Sequence, residues 1–387
     1  MDADQLVEAA TMQARLDDFG PEVDAMREGL GVLVDSANRD ADLSESGEAA
    51  FSGMIVSLLT RRLEIEDWYR AHPEIADQAI ESVLFGLGLP RTGSTALSYL
   101  LAQDANTRSL RQWEANQPCP PPELATERSD PRFLAAEAAV GAMDHLPSEI
   151  KSMLPTSPDG PAEDLDLLSM TFRCMALDTV ARTPSYGEWL MTDCDFGPAY
   201  RYHRRVVLLL QSRRPPSRWR LKTPAHALSI DALDREYPDA RFVITHRDVT
   251  KVIPSVASVS VAVVRMFTGD ADPAYYGRHV ADLWDVALRR FIAFRDRVGE
   301  ERFYDIAFDD LQSDPIGSVR GLYEWLDEEL TPATVAAMEA WWAGNEEERA
   351  QSAPHRYDPA DFGLDADELA DRFAYYGERF PFAKTGA

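Results

Sequence analysis

Short apolar runs, each followed by a helix-like stretch, recur along the chain. Residues 82–87 form the first run, which ends among glycines, and residues 94–103 follow it with helical character. Comparable runs lie at residues 219–222, 241–245 and 303–308, again with helical segments after them. Repetition of strand, turn and helix is typical of a mainly parallel sheet covered by helices on both faces. We therefore predict an α/β fold with such a central sheet.

The segments before and between these strands differ in character. Residues 1–80 are acidic, with apolar residues such as Leu58 and Leu59 among charged ones at mixed helical spacing, which predicts a helical N-terminal cap. Residues 81–387 then form the α/β domain. Within it, residues 105–217 are rich in helix and strand breakers, and such an inserted segment commonly builds a substrate wall or lid.

The overall charge limits the kinds of partner. The 387 residues include 39 lysines and arginines against 66 aspartates and glutamates, which gives a net charge of −27. General binding to nucleic acid or to anionic membranes needs broad basic surface, so this balance argues against both classes. A small anionic ligand needs only a few locally placed cations and stays compatible with an acidic protein.

We expect a cytoplasmic protein, because the sequence shows no signal-peptide pattern and its cysteines show no disulfide or metal spacing. The N-terminus lacks the basic head and apolar centre of a signal peptide. No apolar run approaches the roughly 18 residues of a membrane helix, so we expect no membrane span. The nearest runs are residues 206–210 and the serine-interrupted stretch 256–264. The three cysteines show no CxxC spacing, which favours a reducing compartment.

The first turn has the features of a phosphate-binding loop. Residues 88–95, Gly-Leu-Pro-Arg-Thr-Gly-Ser-Thr, lie between a strand and a helix, where backbone N–H groups surround an anion. Gly93 permits a close backbone approach, and Ser94 and Thr95 add hydroxyl donors. Ser94 stands where a nucleotide triphosphatase keeps its lysine, so that cation is missing here. Arg91, inside the loop, supplies a positive charge in its place. An ordinary glycine–proline turn with a serine N-cap is the alternative.

A second anion site is suggested by residues 241–248, an apolar strand that ends in Thr-His-Arg-Asp. Arg247 stands at the strand end and Ser255 follows eight residues later, in or beside the next helix. An arginine at such a position clamps a phosphate with two charge-assisted hydrogen bonds. The alternative is a strand-end arginine that pairs with Asp248.

In combination, the two motifs resemble the sulfotransferase family. There, the first loop holds the 5′-phosphosulfate of PAPS (3′-phosphoadenosine 5′-phosphosulfate), and the later arginine and serine hold its 3′-phosphate. The resemblance implies donor-binding roles for Arg91, Thr92, Gly93, Ser94, Thr95, Arg247 and Ser255. Residues 304–315 and the tail, residues 355–380, also fit the bacterial branch of the family. The likeness implies a P-loop-like fold, PAPS as sulfuryl donor, adenosine 3′,5′-bisphosphate as product and a hydroxyl of a small molecule or lipid as acceptor.

Transfer of a sulfuryl group to an alcohol requires charge stabilisation and a base for the hydroxyl proton. The resemblance makes Glu114, 23 residues beyond Arg91, the first candidate for the base, with a surface glutamate as its alternative. His226 is the second candidate, unless it holds substrate or caps a helix. Lys222, at a strand end, is expected to contact the transferring group, with a salt bridge to a nearby acid as the alternative. The seven histidines form no ligand cluster, so no metal is predicted.

Cations also occur outside the motifs. Seven arginines and no acids lie between Arg201 and Arg220, which predicts either a solvated face paired with acidic helices or a rim that attracts an anionic donor. His355 and Arg356 in the tail are candidates for closing over the nucleotide.

Two other functions compete with the sulfotransferase. A P-loop kinase or other nucleotide phosphotransferase is disfavoured by Ser94 in place of the lysine. A non-catalytic protein that retains a nucleotide site is the third hypothesis. Nucleotide binding separates the three: Mg²⁺-independent binding of adenosine 3′,5′-bisphosphate indicates the first, preference for ATP with Mg²⁺ the second, and no binding the third.

Overall fold

The computed structural model describes residues 1–142, 157–214, 218–351 and 357–381. Its centre is a five-stranded parallel sheet in the order β2-β3-β1-β4-β5. The strands are β1 (Leu84–Gly88), β2 (Thr107–Ser109), β3 (Arg218–Lys222), β4 (Arg241–His246) and β5 (Phe303–Ala307). The predicted fold class is confirmed, and the four predicted strands are present with each end within two residues of its predicted position. The short strand β2 was not predicted.

The register of the sheet brings the motif-bearing turns to one edge. In β1, Gly86 is opposite Lys222 of β3, and Gly88 is opposite Thr245 of β4. Because the strands are parallel, their carboxyl ends meet at the same edge of the sheet. The phosphate loop, the turn after β3 and the Arg247 turn after β4 therefore lie side by side.

Three helices form residues 1–80: α1 (Ala3–Ala14), α2 (Val23–Asp40) and α3 (Glu45–Ala71). Two of them begin at side-chain caps, since Asp2 accepts a hydrogen bond from Gln5 N and Ser44 accepts one from Gly47 N. Their buried apolar side chains belong to the same core as those on one face of the sheet. The helices therefore pack onto the sheet domain.

Helices cover both faces of the sheet. Phe85 and Leu87 of β1 face the larger core, whereas Leu84 faces a second core together with Leu97 of α4 and Val319 of α15. The remaining helices are α4 (Ser94–Leu101), α5 (Gln112–Asn116), α6 (Pro131–Ala142), α7 (Leu165–Ser169), α8 (Met175–Asp178), α9 (Pro184–Thr192), α10 (Gly197–Gln211), α11 (Ile230–Glu236), α12 (Val249–Thr268), α13 (Pro273–Val298), α14 (Phe308–Ser313), α15 (Pro315–Leu326), α16 (Pro332–Gln351), α17 (Ala366–Arg372) and α18 (Ala374–Arg379). Short 3₁₀ helices lie at Pro73–Asp77, Glu127–Ser129, Pro224–Leu228 and Pro359–Phe362.

The inserted segment 105–217 is more regular than its breaker content suggests. Its described part contains β2 and the helices α5 to α10. The prolines contribute to this regularity, because Pro184 and Pro198 occupy first-turn positions of α9 and α10, where a missing N–H costs nothing. We keep the name "inserted segment" for residues 105–217.

Most arginines of the basic stretch are paired with acids. Arg201 makes two hydrogen bonds to Glu22 at 2.6 and 3.0 Å, and Arg205 makes two to Glu66 at 2.9 and 2.7 Å. Four more ion pairs are Arg213–Glu123, Arg214–Glu127, Arg218–Glu328 and Arg220–Glu328. Six of the seven arginines are therefore paired, which favours the paired-face interpretation over an anion-attracting rim.

One helix in the described ranges, α12, is long and apolar enough to cross a membrane by length and composition alone. This is weak evidence for a span, because 56% of the relevant window is buried inside the protein, as in the core helix of a soluble protein. Lys251, Pro254 and Arg265 lie within this helix, which also contains the serine-interrupted apolar stretch 256–264.

Candidate active site

The phosphate loop has a conformation fixed by its own residues. Arg91 and Gly93 adopt left-handed backbone angles, with φ of +61° and +88°. A Cβ atom at Gly93 would also lie 3.1 Å from Leu311, so glycine suits the position in two ways. Thr92 is fully buried, and its hydroxyl bonds to that of Thr245 at 2.6 Å. The loop is thereby fastened to the end of β4.

The structure brings Arg91, Arg247 and Ser255 together. Arg247 Nη1 donates to the carbonyl oxygen of Arg91 at 3.0 Å, and Arg91 Nε donates to Ser255 Oγ at 3.2 Å. The Arg247 guanidinium lies 4.2 Å from the centre of the Phe308 ring. Asp248 accepts hydrogen bonds within the first turn of α12 and does not pair with Arg247. The two anion motifs thus form one cationic site.

The two arginines of this site have hydrogen bonds but no ion-pair partner among the described residues. Within the part of the chain that the structure describes, neither Arg91 nor Arg247 forms an ion pair. Desolvation lowers the pKa of the Arg91 guanidinium, and the neighbouring Arg247 charge adds to this effect. An anion bound between them would offset both costs. The site therefore has the chemistry of a phosphate or sulfate receptor.

Lys222 lies next to the phosphate loop with a carboxylate partner. Its Nζ donates to Glu163 Oε1 at 2.6 Å, and Thr223 Oγ1 donates to Glu163 Oε2 at 2.9 Å. Lys222 lines the same pocket as Ser94, beneath the start of α4. A Cβ atom at Gly86 would stand 2.8 Å from Lys222 Cγ, so glycine in β1 makes room for the lysine stem. The salt-bridge alternative for Lys222 is realised, with Glu163 as its partner.

Glu114, the first candidate for the base, is an interior residue. Its side chain is fully buried, accepts a hydrogen bond from Arg108 Nη2 at 3.1 Å and accepts another from the Arg111 backbone at 3.3 Å. Arg108 also donates to the carbonyl oxygen of Leu210 at 2.7 Å. The arrangement ties α5 to β2. The catalytic role of Glu114 stays a prediction, and full burial in an ion pair argues against it.

His226, the second candidate, is also fully buried. Its Nε2 is 2.9 Å from Asp164 Oδ2, and its Nδ1 is 2.7 Å from the Tyr200 hydroxyl. Both ring nitrogens therefore have partners in the interior. A base needs a nitrogen that reaches the proton it removes, so this geometry does not support the predicted role, which stays a prediction.

The other predicted loop residues lie at the first turn of α4, where Ser94 is buried and Thr95 is exposed. Sequence reasoning missed Glu163, Thr223 and Thr245. Thr223 directly follows Lys222, and Thr245 stands inside the motif Thr-His-Arg-Asp, so a closer look at these two strand ends would have found them. Glu163 follows a proline- and glycine-rich stretch with no motif of its own.

Two further predictions concern the tail and a metal site. His355 and Arg356 lie outside the described residues. In the described ranges, no group of three or more His, Cys, Asp or Glu side chains is arranged to hold a metal ion.

The chain is similar in sequence and fold to known proteins. The model of the sulfotransferase family matches residues 84–332, more than half of the chain. The crystal structure of sulfotransferase STF9 from Mycobacterium avium is 32% identical with a TM-score of 0.89, covering 97% of this chain and 96% of that one. Sulfotransferase STF1 from Mycobacterium tuberculosis H37Rv is 31% identical with a TM-score of 0.85, covering 97% and 99%.

A curated relative gives a more distant match. The omega-hydroxy-beta-dihydromenaquinone-9 sulfotransferase Stf3 of Mycobacterium tuberculosis is 27% identical over 277 residues, which is 66% of this chain. The match spans 64% of that relative's own length, less than two thirds of it. The resemblance stated from the two anion motifs is confirmed by the family model and by the two solved structures, and the chain belongs to the sulfotransferase family.

Proposed function

We propose that the protein transfers the sulfuryl group of PAPS to a hydroxyl group of a lipid or other small molecule and releases adenosine 3′,5′-bisphosphate. The observation that carries this proposal is the contact between Arg91 and Arg247, two arginines from separate strand ends without an acidic partner in the described ranges. Family membership supports the reaction class. The donor offers phosphate groups at both ends of its ribose, which suits two adjoining cationic motifs.

Each end of the donor has its own set of ligands in this proposal. The 5′-phosphosulfate binds at the phosphate loop, where Ser94 and Thr95 and the backbone N–H groups at the start of α4 donate hydrogen bonds. The 3′-phosphate binds Arg247 and Ser255. Because Arg91 Nε already reaches Ser255 Oγ at 3.2 Å, the two subsites adjoin.

The base in this proposal is Glu163. Its side chain is 38% exposed and contacts Lys222, which lines the pocket beneath the phosphate loop, whereas Glu114 and His226 are fully buried. The acceptor oxygen attacks sulfur while the bond from sulfur to the 5′-phosphate oxygen breaks. The hydroxyl proton passes to Glu163, and the electron pair leaves with the phosphate. Lys222 stabilises the charge that builds up on the departing oxygen.

The kinase alternative fits this site less well. The phosphate loop carries Ser94 at the position of the kinase lysine, and Asp248, the acid after β4, is engaged in capping α12. A protein that only binds a nucleotide would not require the Lys222–Glu163 pair beside the phosphate loop. Both observations favour sulfuryl transfer.

A nucleotide titration tests the donor assignment. We expect calorimetry to show binding of adenosine 3′,5′-bisphosphate that is unchanged by EDTA and tighter than binding of ATP with Mg²⁺. Arg247→Ala should weaken it about tenfold or more, since a hydrogen bond to a charged group contributes about 1.5–3 kcal/mol. Arg289→Ala is the matched control, an exposed arginine of α13 that pairs with Asp285. Preference for ATP with Mg²⁺ would establish the kinase alternative, and absence of any binding the non-catalytic one.

The acceptor class rests on the relative that acts on an omega-hydroxy menaquinone, by its name a lipid with a hydroxyl group. Purified protein with radiolabelled PAPS should label long-chain alcohols faster than short polar alcohols of the same hydroxyl type. Phenols and glycolipids are tested as acceptors in the same assay. Equal rates with short and long alcohols would argue against a lipid acceptor.

The cytoplasmic location is also a proposal. It is supported by three free cysteines, Cys119, Cys174 and Cys194, of which Cys174 is fully buried. Fractionation of cells that express the tagged protein should recover it with a cytoplasmic marker enzyme, and recovery with secreted proteins would contradict the proposal.

A further inference from the structure

Two consecutive residues of the inserted segment, directly before α7, lie in different surroundings. Glu163 is partly exposed and contacts Lys222 and Thr223 in the site, whereas the next residue, Asp164, is fully buried. The backbone N–H of Asp164 also donates to the carbonyl oxygen of Lys222 at 3.3 Å. Any shift of Asp164 would therefore move the carboxylate and the lysine relative to each other.

Asp164 is the centre of a buried hydrogen-bond network. Its Oδ2 is 2.9 Å from Nε2 of His203 and 2.9 Å from Nε2 of His226. The Nδ1 atoms of these histidines contact the hydroxyls of Tyr237 at 2.8 Å and Tyr200 at 2.7 Å, respectively. An ionised carboxylate only accepts, so both Nε2 atoms donate, and each neutral ring then accepts from a tyrosine through Nδ1. Every contact has a consistent donor and acceptor.

The network joins helix α10 of the inserted segment to the 3₁₀ helix that follows β3. Tyr200 and His203 belong to α10 of the inserted segment, while His226 belongs to the 3₁₀ helix directly after β3. Phe85 of the central strand β1 packs against the His226 ring, with ring centres 5.0 Å apart. Asp164 thus fastens the inserted segment to the strand that carries Lys222.

Burying the charged and polar groups of this network costs free energy of folding, which a purely structural contact between apolar residues would avoid. Burial opposes ionisation of Asp164, yet the two histidines hold its pKa well below the ordinary value, while burial lowers the pKa of His203. In the described part of the chain, Asp164 Oδ1 has no hydrogen-bond partner. Apolar residues of similar volume commonly replace such buried charges without loss of stability. Directional hydrogen bonds, in contrast, fix one orientation of the chain.

We propose that Asp164 is a positioning residue, which through His203 and His226 holds Glu163 in contact with Lys222 so that the carboxylate receives the acceptor proton. This inference rests on the proposed function. Asp164 itself is buried and does not touch the reactants. Its loss should lower the rate of the chemical step and leave donor binding in place.

The test is a double-mutant cycle between Asp164→Asn and Glu163→Gln, measured as kcat with PAPS and the best acceptor. Asp164→Asn should lower kcat by up to about 10²-fold, since a misplacement of about 1 Å in a reacting group can cost that much. Its dissociation constant for adenosine 3′,5′-bisphosphate should stay within about twofold. In the Glu163→Gln background the same change should cause no further loss, because the group it positions is gone.

A matched control shows whether any buried aspartate–histidine contact has this effect. Asp178→Asn removes a buried aspartate that contacts His279 between α8 and α13, and it should leave kcat unchanged. Tyr237→Phe weakens the network from its far end at less risk to folding, and it should show a smaller kcat loss with the same non-additivity.

The outcomes separate the two proposals. If Glu163→Gln retains full activity, Glu163 is not the base and the proposed mechanism fails. If Glu163→Gln is inactive while Asp164→Asn and Tyr237→Phe are fully active, only the positioning role of Asp164 fails. Additive losses in the cycle also overturn it, because they show that Asp164 acts apart from Glu163. If Asp164→Asn does not fold, the cycle with Tyr237→Phe decides by the same criteria.

Discussion

Replacing Glu114 by glutamine should reduce stability rather than turnover. The Glu114 side chain is fully buried, pairs with Arg108 at 3.1 Å and lies 3.9 Å from Arg214. Glutamine keeps the size of the side chain but leaves the 6%-exposed Arg108 without its charge partner. Breaking a buried pair in this way costs about 3–5 kcal/mol. That is a large share of the roughly 5–15 kcal/mol by which a folded protein is stable.

The assay compares two variants by two measurements each. Urea unfolding followed by circular dichroism should show a lower midpoint for Glu114→Gln, with kcat per folded molecule within about twofold of the unchanged protein. Glu163→Gln should give the opposite result, since its side chain is 38% exposed: a nearly unchanged midpoint and a kcat reduced about 10²-fold or more.

The opposite pattern would refute this reasoning. If Glu114→Gln keeps its unfolding midpoint and loses turnover with normal donor affinity, Glu114 is the base, as the family resemblance implied. The buried ion pair would then have to open during the reaction. Measuring stability and turnover on the same sample excludes the third possibility, a loss of activity caused only by unfolding.

Three further predictions concern the surroundings of the site. Gly86→Ala should lower kcat and cost about 1–3 kcal/mol of stability by urea unfolding, because its Cβ would displace the Lys222 stem; an unchanged kcat would contradict it. Thr245→Val should weaken bisphosphate binding about two- to tenfold by calorimetry, since it removes the hydroxyl that holds the phosphate loop; unchanged affinity would argue against that role. Stability should fall as pH drops below about 6.5, because burial lowers the pKa of His203 and of His246, so the unfolded chain binds these protons first. Urea midpoints between pH 7.5 and 5.5 test this, and a flat profile would refute it.

The parts of the site that the sequence predicted are those that follow from chain topology. Arg91 and Arg247 stand directly after predicted strands, and parallel strands end at one edge of a sheet, so their proximity needs only the strand order. The strands themselves could be predicted, because strands buried on both faces of a parallel sheet have continuous apolar sequences. Strand β2 was not visible, since its sequence Thr107-Arg-Ser109 has no apolar residue and it forms by pairing with β3.

The parts that sequence analysis missed depend on side-chain direction. The family resemblance made Glu114 a candidate at 23 residues beyond Arg91, but only the folded structure shows its carboxylate turning inward to Arg108. Glu163 reaches Lys222 across 59 residues of sequence, a contact made by the path of the inserted segment and by no local pattern. Contacts of this kind depend on tertiary packing and cannot be inferred from periodicity.

The distribution of ion pairs explains how an acidic protein keeps a cationic site. The basic stretch has many positive charges, yet six of its seven arginines, among them Arg201 and Arg205, are paired with glutamates. Arg91 and Arg247 contact a serine, a backbone carbonyl and an aromatic ring instead. Serine and carbonyl oxygens orient a guanidinium without cancelling its charge, so the positive potential stays where the phosphate loop ends. Placing an acid there, for example by Ser255→Asp, should therefore abolish bisphosphate binding in calorimetry while the fold stays intact, and binding that survives would show that another group holds the anion.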